Sequence, residues 1–380
     1  MKFVIHGYYG AGNVGDDAIL ENMIESLYKE FPNAKFFVIS RALFPAYRGT
    51  RNVETININS FTLVKELIKM ADVVIVGGGG ILHDYSSWEP QNEVGMGAKG
   101  MNYYGQIINL AYQYGKKIYF YSIGIGPLSS PQSKDYACSL LSKASRITVR
   151  DAESYKFIID NLPKLEVAIT ADPALNIKSI SNIKARELLK LEKIPLGKKL
   201  VGICLRPWRF KEDEQEELLN RIAEIGNLLS SEENVHLVLL PFSQHKSDTQ
   251  IMVKLAKKLS KRTYTLFKRS YRPQDLKGIL GEFSLIIGMR LHSLILGASM
   301  GTPIIGISYD PKVNHFTSML GPNICSYPYA LVKAKKLFDQ STKLIHMSNT
   351  DKKEFQNKVS HLKRQEELNI KFLFKGKELQ

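Results

Sequence analysis

Residues 283–307 read FSLIIGMRLHSLILGASMGTPIIGI, and this stretch decides the fold class. Ser284–Gly288 is short, apolar and rich in isoleucine, which predicts a buried strand. A helical pattern then runs over 293–300 and stops at the Gly301-Thr302-Pro303 breaker. A second apolar run over 303–307 predicts the next strand. Strand, helix and strand so closely spaced make a βαβ unit, which needs a parallel sheet covered by helices. Arg290 and His292 stand between the first strand and the helix, in chain expected still to be extended. Period-two alternation would point both side chains the same way. A cation and a titratable imidazole beside a helix N-terminus make a place to hold an anion and move a proton.

The same alternation spreads in both directions. Toward the N-terminus it predicts strands at 199–205, 235–241 and 263–267, with helices at 212–230, 246–260 and 273–281. In the first half of the chain, strands are expected at Lys2–Gly7, Lys35–Ser40, Val53–Ile58, Asp72–Val76, Lys117–Ser122, Arg146–Val149 and Glu166–Ile169. Helices are expected at 16–30, 60–70, 97–114, 131–143 and 151–161. Ser130 as N-cap with Pro131 at the first helical position marks one start. The pattern breaks over 176–198, a polar, Lys-rich stretch ending in Pro195-Leu196-Gly197, with a short helix over Ala185–Leu191. This is the candidate linker. It gives an α/β protein with a first domain over 1–180, a second over 198–330 and a basic helical tail over 331–380. One tail helix is expected to pack back on the first domain. Two sheets joined by one linker leave a cleft, and open α/β sheets bind ligands at the carboxyl ends of their strands.

Composition removes several classes. At 380 residues the chain is too long for one ordinary core. No apolar run reaches the roughly 20 residues of a membrane span, and Met1–Gly7 is too short for the apolar part of a signal peptide. Cys138, Cys204 and Cys325 are odd in number and far apart, so they form no metal-ligand spacing; they fit a reducing, cytoplasmic setting. The net charge of +15 is concentrated. Residues 251–280 hold nine Lys or Arg against one acid, and residues 331–380 hold twelve against six. That uneven excess points to an acidic partner, against the plainer reading of solvated helix faces. Nucleic acid is not expected, because no module signature accompanies the basic and aromatic residues around Tyr264–Arg272.

Three strand ends of the first domain are glycine-rich. Gly7-Tyr8-Tyr9-Gly10-Ala11-Gly12-Asn13-Val14-Gly15-Asp16-Asp17 opens the first helix, and Gly10, Gly12, Asn13, Gly15 and Asp16 are its candidate ligand contacts. The structural alternative makes Asp16 an N-cap and Asp17 a complement to the helix dipole. Gly77-Gly78-Gly79-Gly80-Ile81-Leu82-His83-Asp84 comes off the strand Asp72–Val76. Gly78 and Gly79 would cradle a sugar or phosphate, and Asp84 would bind a hydroxyl or act as a base. Ser122–Pro127 repeats the theme. Arg150 ends its strand as a candidate anion clamp, or pairs with Asp151 or Glu153. In the second domain Arg206, Arg209, Arg290, His292 and Lys312 all follow strand ends.

Taken together these motifs resemble the polysaccharide pyruvyl transferases. The resemblance rests on Gly-Tyr-Tyr-Gly-x-Gly-Asn-x-Gly-Asp at 7–16, Gly77–Leu82, Ile123–Pro127, Val149-Arg150-Asp151, Ala171-Asp172-Pro173-Ala174, Arg290-Leu291-His292 and Tyr309-Asp310-Pro311-Lys312-Val313. It covers roughly residues 3–315 in the family's order. The bacterial branch acting on cell-wall and S-layer-anchoring polymers looks nearest. The resemblance implies two Rossmann-like domains facing across a cleft in a glycosyltransferase-B-like arrangement, the first on the acceptor side and the second on the donor side. It implies phosphoenolpyruvate as donor substrate, no cofactor, and an acceptor sugar, in wall-polymer members lipid-linked, whose two hydroxyls become a pyruvate ketal. Arg150, Arg290 and His292 match donor-binding or catalytic positions, and Lys312 matches the Asp-Pro-Lys element.

Phosphoenolpyruvate carries a carboxylate and a phosphate, and Arg150, Arg290, Lys312 and Arg206 supply cations for them. The donor's methylene carbon must gain a proton, and His292 suits that step or protonation of the leaving phosphate. The hydroxyl proton is left between Asp16 and Asp84. No metal is expected. A lipid diphosphate acceptor would give the basic C-terminal half a purpose, at the cytoplasmic, anionic face of the cell membrane, through Lys254–Lys277 and the tail. A glycosyltransferase or sugar-nucleotide epimerase shares the layout, and a non-catalytic saccharide-binding protein is the third reading.

Overall fold

The computed structural model describes residues 1–41, 52–85, 99–209, 211–232, 234–243, 246–260 and 263–375. They form two compact units, one of Met1–Ala11, Asp16–Pro173 and Leu362–Gln380, the other of Gly12–Gly15 and Ala174–His361.

The first unit contains β1 (Lys2–His6), α1 (Val14–Glu30) from Asp16 on, β2 (Lys35–Ser40), β3 (Val53–Asn57), α2 (Phe61–Met70), β4 (Val73–Leu82), α3 (Met101–Gln113), β5 (Lys117–Ile125), α4 (Pro131–Leu141), β6 (Arg146–Val149), α5 (Ala152–Asn161) and β7 (Val167–Ile169). Its seven strands are all parallel, in the order β3-β2-β1-β4-β5-β6-β7. The central strands are buried on both faces, so they read as unbroken apolar runs such as Val73–Val76. Ile107, Ile108 and Ala111 of α3 pack on one face with Val74, Val76 and Phe120. Burying an isoleucine, valine or phenylalanine side chain in this way contributes about 1.5–3 kcal/mol.

Two expectations change here. The four glycines Gly77–Gly80 do not follow a strand ending at Val76. They lie inside β4, which runs on to Leu82 and pairs with β5 through Gly77↔Tyr121 and Gly79↔Ile123. The run of glycines hid a strand because strand patterns are read from side chains. The helix expected from 97 begins at Met101, and positions 97 and 98 lie outside the described residues.

The second unit contains α6 (Asn182–Leu191), β8 (Lys199–Cys204), α7 (Glu212–Glu232), β9 (Val235–Leu239), α8 (Lys246–Ala256), β10 (Tyr264–Leu266), α9 (Pro273–Leu280), β11 (Leu285–Gly288), α10 (Leu291–Ser299), β12 (Ile304–Ser308), α11 (Pro311–Ser318), β13 (Cys325–Pro328), α12 (Ala334–Ile345) and the start of α13 (Asn349–Lys375). Its sheet is parallel, in the order β10-β9-β8-β11-β12-β13. Strand β13 was not expected, since Cys-Ser-Tyr-Pro carries no apolar run.

The stretch 176–198 is not an open linker. It holds α6, capped by the Ser181 hydroxyl on the Lys184 N–H, and Glu192, whose buried carboxylate accepts from the Lys268 and Arg269 N–H groups and from the Tyr271 hydroxyl. In the stretch 331–380 one helix does return to the first unit, as expected, while the residues before it join the second unit and form no tail of their own. Residues up to His361 cluster with the second unit, and Leu362 onward with the first. There Glu366 accepts from Asn22 and Tyr121, and Asn369 accepts from Thr148 and Thr170 at 2.6 and 2.8 Å. Both side chains are buried, and the Phe374 ring meets Phe3, Phe31 and Tyr119. The charges that make the segment look solvated hide the one face that packs. Among the described residues no helix is long and apolar enough to cross a membrane.

Candidate functional site

The strand order of the second unit reverses between β8 and β11. Ligands of open α/β sheets bind beside such a pair, at the carboxyl ends. Cys204 is level with Gly288, and Gly288 with Gly306 of β12. Arg206 and Arg290 therefore leave adjacent strands at the same height, two residues past that level. Tyr309 and Lys312 follow β12.

Arg290 is the N-cap residue of α10, with extended backbone (φ −71°, ψ 109°). Its carbonyl accepts from both the N–H (2.9 Å) and the hydroxyl (2.6 Å) of Ser293. This starts the helix two residues before the expected position, so His292 is helical. Strand alternation therefore does not align the two side chains, because only Arg290 is extended. The Arg290 guanidinium donates twice to Asp248, from Nε at 2.9 Å and Nη2 at 2.5 Å. Asp248 is fully buried in the first turn of α8, which makes this a strong, orientation-fixing pair. His292 lies against Gly15, which clusters with the second unit. A Cβ at Gly15 would stand 2.0 Å from His292 Nδ1, so only glycine fits there. Asn13 accepts from the Gly15 N–H at 3.1 Å, and Ser243 donates to the Gly12 carbonyl at 3.2 Å. Asn13, not Asp16, is the residue that caps the start of α1.

Arg206 and Lys312 flank an aromatic pair. The Trp208 and Tyr309 ring centroids are 4.5 Å apart. Arg206 lies over both, 4.9 Å from the first and 5.1 Å from the second, and donates from Nη1 to the Tyr309 hydroxyl at 3.1 Å. Lys312 Nζ is 5.4 Å from the Tyr309 ring. The buried N-cap carboxylate of Asp310 accepts from the Lys312 N–H and pairs with Lys312 Nζ at 2.9 Å. Burial alone would raise the Tyr309 phenol, but Lys312, Arg206 and Arg290 outweigh it and hold it below its ordinary value.

In the first unit Arg150 leaves β6 with its guanidinium over glycines. A Cβ at Gly124 would be 3.1 Å from its Nε and Nη2, and one at Gly80 3.7 Å from Nη2. Its main partner is Asp172, at 2.7 Å, with both residues buried; Asp151, which caps α5, is 3.9 Å away. Gly78 has φ +74°, and a Cβ there would sit 1.9 Å from Ile19 Cγ2. Gly79 stands beside the Asp16 carboxylate. Gly10 also has positive φ, and its N–H donates to Asp17. Burial and the neighbouring Asp16 push the Asp17 carboxyl up to about 7, against the Gly10 bond, which lowers it.

Asp84 does not fit the base role expected for it. Its Oδ2 accepts from the Ser129 N–H (2.6 Å), the Ser129 and Ser133 hydroxyls (2.8 and 2.6 Å) and the Ser130 N–H (3.2 Å). Burial raises its carboxyl, but these four bonds prevail and hold it below the usual range. It ties β4 to the start of α4. Lys277, expected on a basic surface, is buried and donates to the Leu175 and Ile177 carbonyls. Among the described residues no group of three His, Cys, Asp or Glu could hold a metal ion.

The geometry sets cations and a histidine on the switch point of one sheet, and a glycine-backed arginine on the other. The model of one protein family, the polysaccharide pyruvyl transferases, matches residues 13–311. The chain belongs to that family. It is thereby a transferase. The amylovoran biosynthesis protein AmsJ of Erwinia amylovora is 22% identical over 362 residues, covering 84% of this chain and 86% of that protein. Among solved structures, an S. aureus MnaA–UDP complex matches with a TM-score of 0.68 at 11% identity, over 99% of this chain and 98% of that one. The ADP-heptose heptosyltransferase II of E. coli matches at 0.54 and 12% identity, over 91% and 99%. Likenesses at this identity show the fold, which is glycosyltransferase-B-like.

Sequence reasoning missed Asp248, gave no role to Asp172 or Tyr309, and gave Asp17 only that of a complement to the helix dipole. Asp172 and Tyr309 sit in quoted motifs, and the motif itself was the available signal, since their arginine partners are 22 and 103 residues away. Asp248 is 42 residues from its partner and carries none.

Proposed function

We propose that this family member transfers pyruvate from phosphoenolpyruvate to two hydroxyls of one sugar in a lipid-linked cell-wall precursor, forming a ketal and releasing phosphate. The observation that carries this reading is the set Arg206, Arg290, Lys312 and His292 at the carboxyl ends of β8, β11 and β12. A small donor with two anionic groups needs several fixed cations, and charge-assisted bonds to them are the strong kind. The Asp248 pair fixes Arg290 in orientation, and α10 presents His292 in its first turn. His292 delivers the proton to the donor's methylene carbon. Arg150, matched to a family position and held over glycine backbone in the first unit, is assigned to catalysis through charge. The exposed Lys254, Lys257, Lys268, Arg269 and Arg272 support association with the anionic cytoplasmic membrane face; positions 261 and 262 of that stretch lie outside the described residues.

The test is phosphate release from phosphoenolpyruvate against a panel of lipid-linked and synthetic amino-sugar disaccharides, with the lipid acceptors in anionic vesicles at low and high salt. Release is expected with at least one acceptor, and salt should weaken activity on vesicles but not on soluble disaccharides. His292→Ala should reduce turnover by about 100-fold or more. No release with any acceptor, together with a thermal shift caused by a nucleotide sugar, would move the assignment to a glycosyltransferase or epimerase.

A further inference from the structure

Proton transfer from the attacking hydroxyl needs a group that neither Asp84 nor a paired cation supplies. Within the second unit, one side chain has the required surroundings. Tyr309 leaves β12 between Trp208 and Lys312, and its oxygen accepts from Arg206. The charged groups facing it are Arg206 after β8, Arg290 at the start of α10, and Lys312 on α11, which brings its own partner Asp310. Arg290 and Lys312 have carboxylate partners, whereas Arg206 turns its guanidinium to the phenol and the two rings. A phenol placed among three cations is stabilised as phenolate, the form that accepts a proton.

We propose that Tyr309 is a catalytic residue of the transfer, accepting the proton of the attacking sugar hydroxyl. This rests on the donor reading above. In the step, the hydroxyl oxygen bonds to C2 of phosphoenolpyruvate, and its proton passes to the Tyr309 phenolate. The C2–C3 electron pair takes a proton from His292, so the methylene becomes a methyl. The C2–O bond to phosphate then breaks, with its electrons leaving on phosphate. The second hydroxyl closes the ketal and its proton departs with the phosphate. The proton on Tyr309 returns through solvent to His292, so the enzyme ends as it began.

Tyr309→Phe removes one oxygen and keeps the ring that packs on Trp208. Its kcat is expected to fall by at least about 100-fold, with KM for phosphoenolpyruvate within about threefold, because Arg206, Arg290 and Lys312 remain. Ultraviolet difference titration should show one tyrosine ionising below the ordinary range in the wild type and none in the variant. Wild-type turnover with near-normal kcat in Tyr309→Phe, or the same titration step in both proteins, overturns this role alone. A wild type inactive with every acceptor overturns the donor reading and this role with it.

Discussion

Two parallel sheets that share one strand order, apart from the extra edge strand β7 of the first, end in different chemistry. In the first unit the carboxyl edge is built from backbone. Gly78 lets the chain approach Ile19 at a distance that a side chain would forbid, Gly79 and Gly124 bring it tightly against Asp16 and Arg150, and Gly10 supplies a left-handed turn. In the second unit the same edge is built from side chains, with Arg206, Arg290, Tyr309 and Lys312 each held by an aromatic ring or a carboxylate. A backbone edge is specified by what is missing, and its energetic risk is steric. A charged edge is specified by partners brought in from elsewhere in the chain, and its risk is an orphaned charge.

The largest effect should come from breaking the second kind of edge. Asp248→Ala leaves Arg290 partly buried without its bidentate partner, and should lower unfolding free energy by about 3–5 kcal/mol. A loss under 1 kcal/mol in denaturant titration would mean that solvent replaces the carboxylate, and the contrast would fail on that side.

The next effect belongs to the carboxylate that the first edge encloses. Asp17 has its folded pKa raised from 3.8 to about 7. A raised value favours the neutral form, so its contribution is fully present below about pH 3.8 and is lost as pH rises through about 7. Asp17→Asn can still accept from Gly10 and removes that loss. The variant should gain on the wild type between pH 4 and pH 8, by a few kcal/mol at most, at about 1.4 kcal/mol per pH unit. Parallel stability curves over that range would show that Asp17 ionises normally.

The smallest of the three tests the glycine edge itself. Gly78→Ala meets Ile19 and a left-handed backbone, and should cost roughly 1–3 kcal/mol. A variant as stable as the wild type would show that β4 shifts freely, and that the first edge is not built by close approach.

The reach of the sequence follows the same division. The alternation of short apolar runs with helical patterns was enough for two parallel sheets, because strands buried on both faces carry a signal that needs no partner. It was also enough to collect Arg206, Arg290, His292 and Lys312 at strand ends. It misplaced β4, since four glycines carry no pattern, and it put His292 in extended chain, since a two-residue shift in helix start leaves no trace in composition. It expected a tail helix to pack back on the first domain, as α13 does from Leu362, but nothing in its charged pattern singled out Glu366 and Asn369, which are buried among hydroxyls from β5, β6 and the chain after β7.

What the sequence determined alone was local: the period of each element, the glycines that only one backbone conformation allows, and the motifs that mark the family. Tertiary structure decided which charges are held and by what. Asp248 reaches Arg290, Asp172 reaches Arg150, and Tyr309 comes to lie among three cations. The reason is that pairing energies depend on distance and burial, and the fold brings together groups that the sequence leaves 42, 22 and 103 residues apart, as for Asp248–Arg290, Arg150–Asp172 and Arg206–Tyr309.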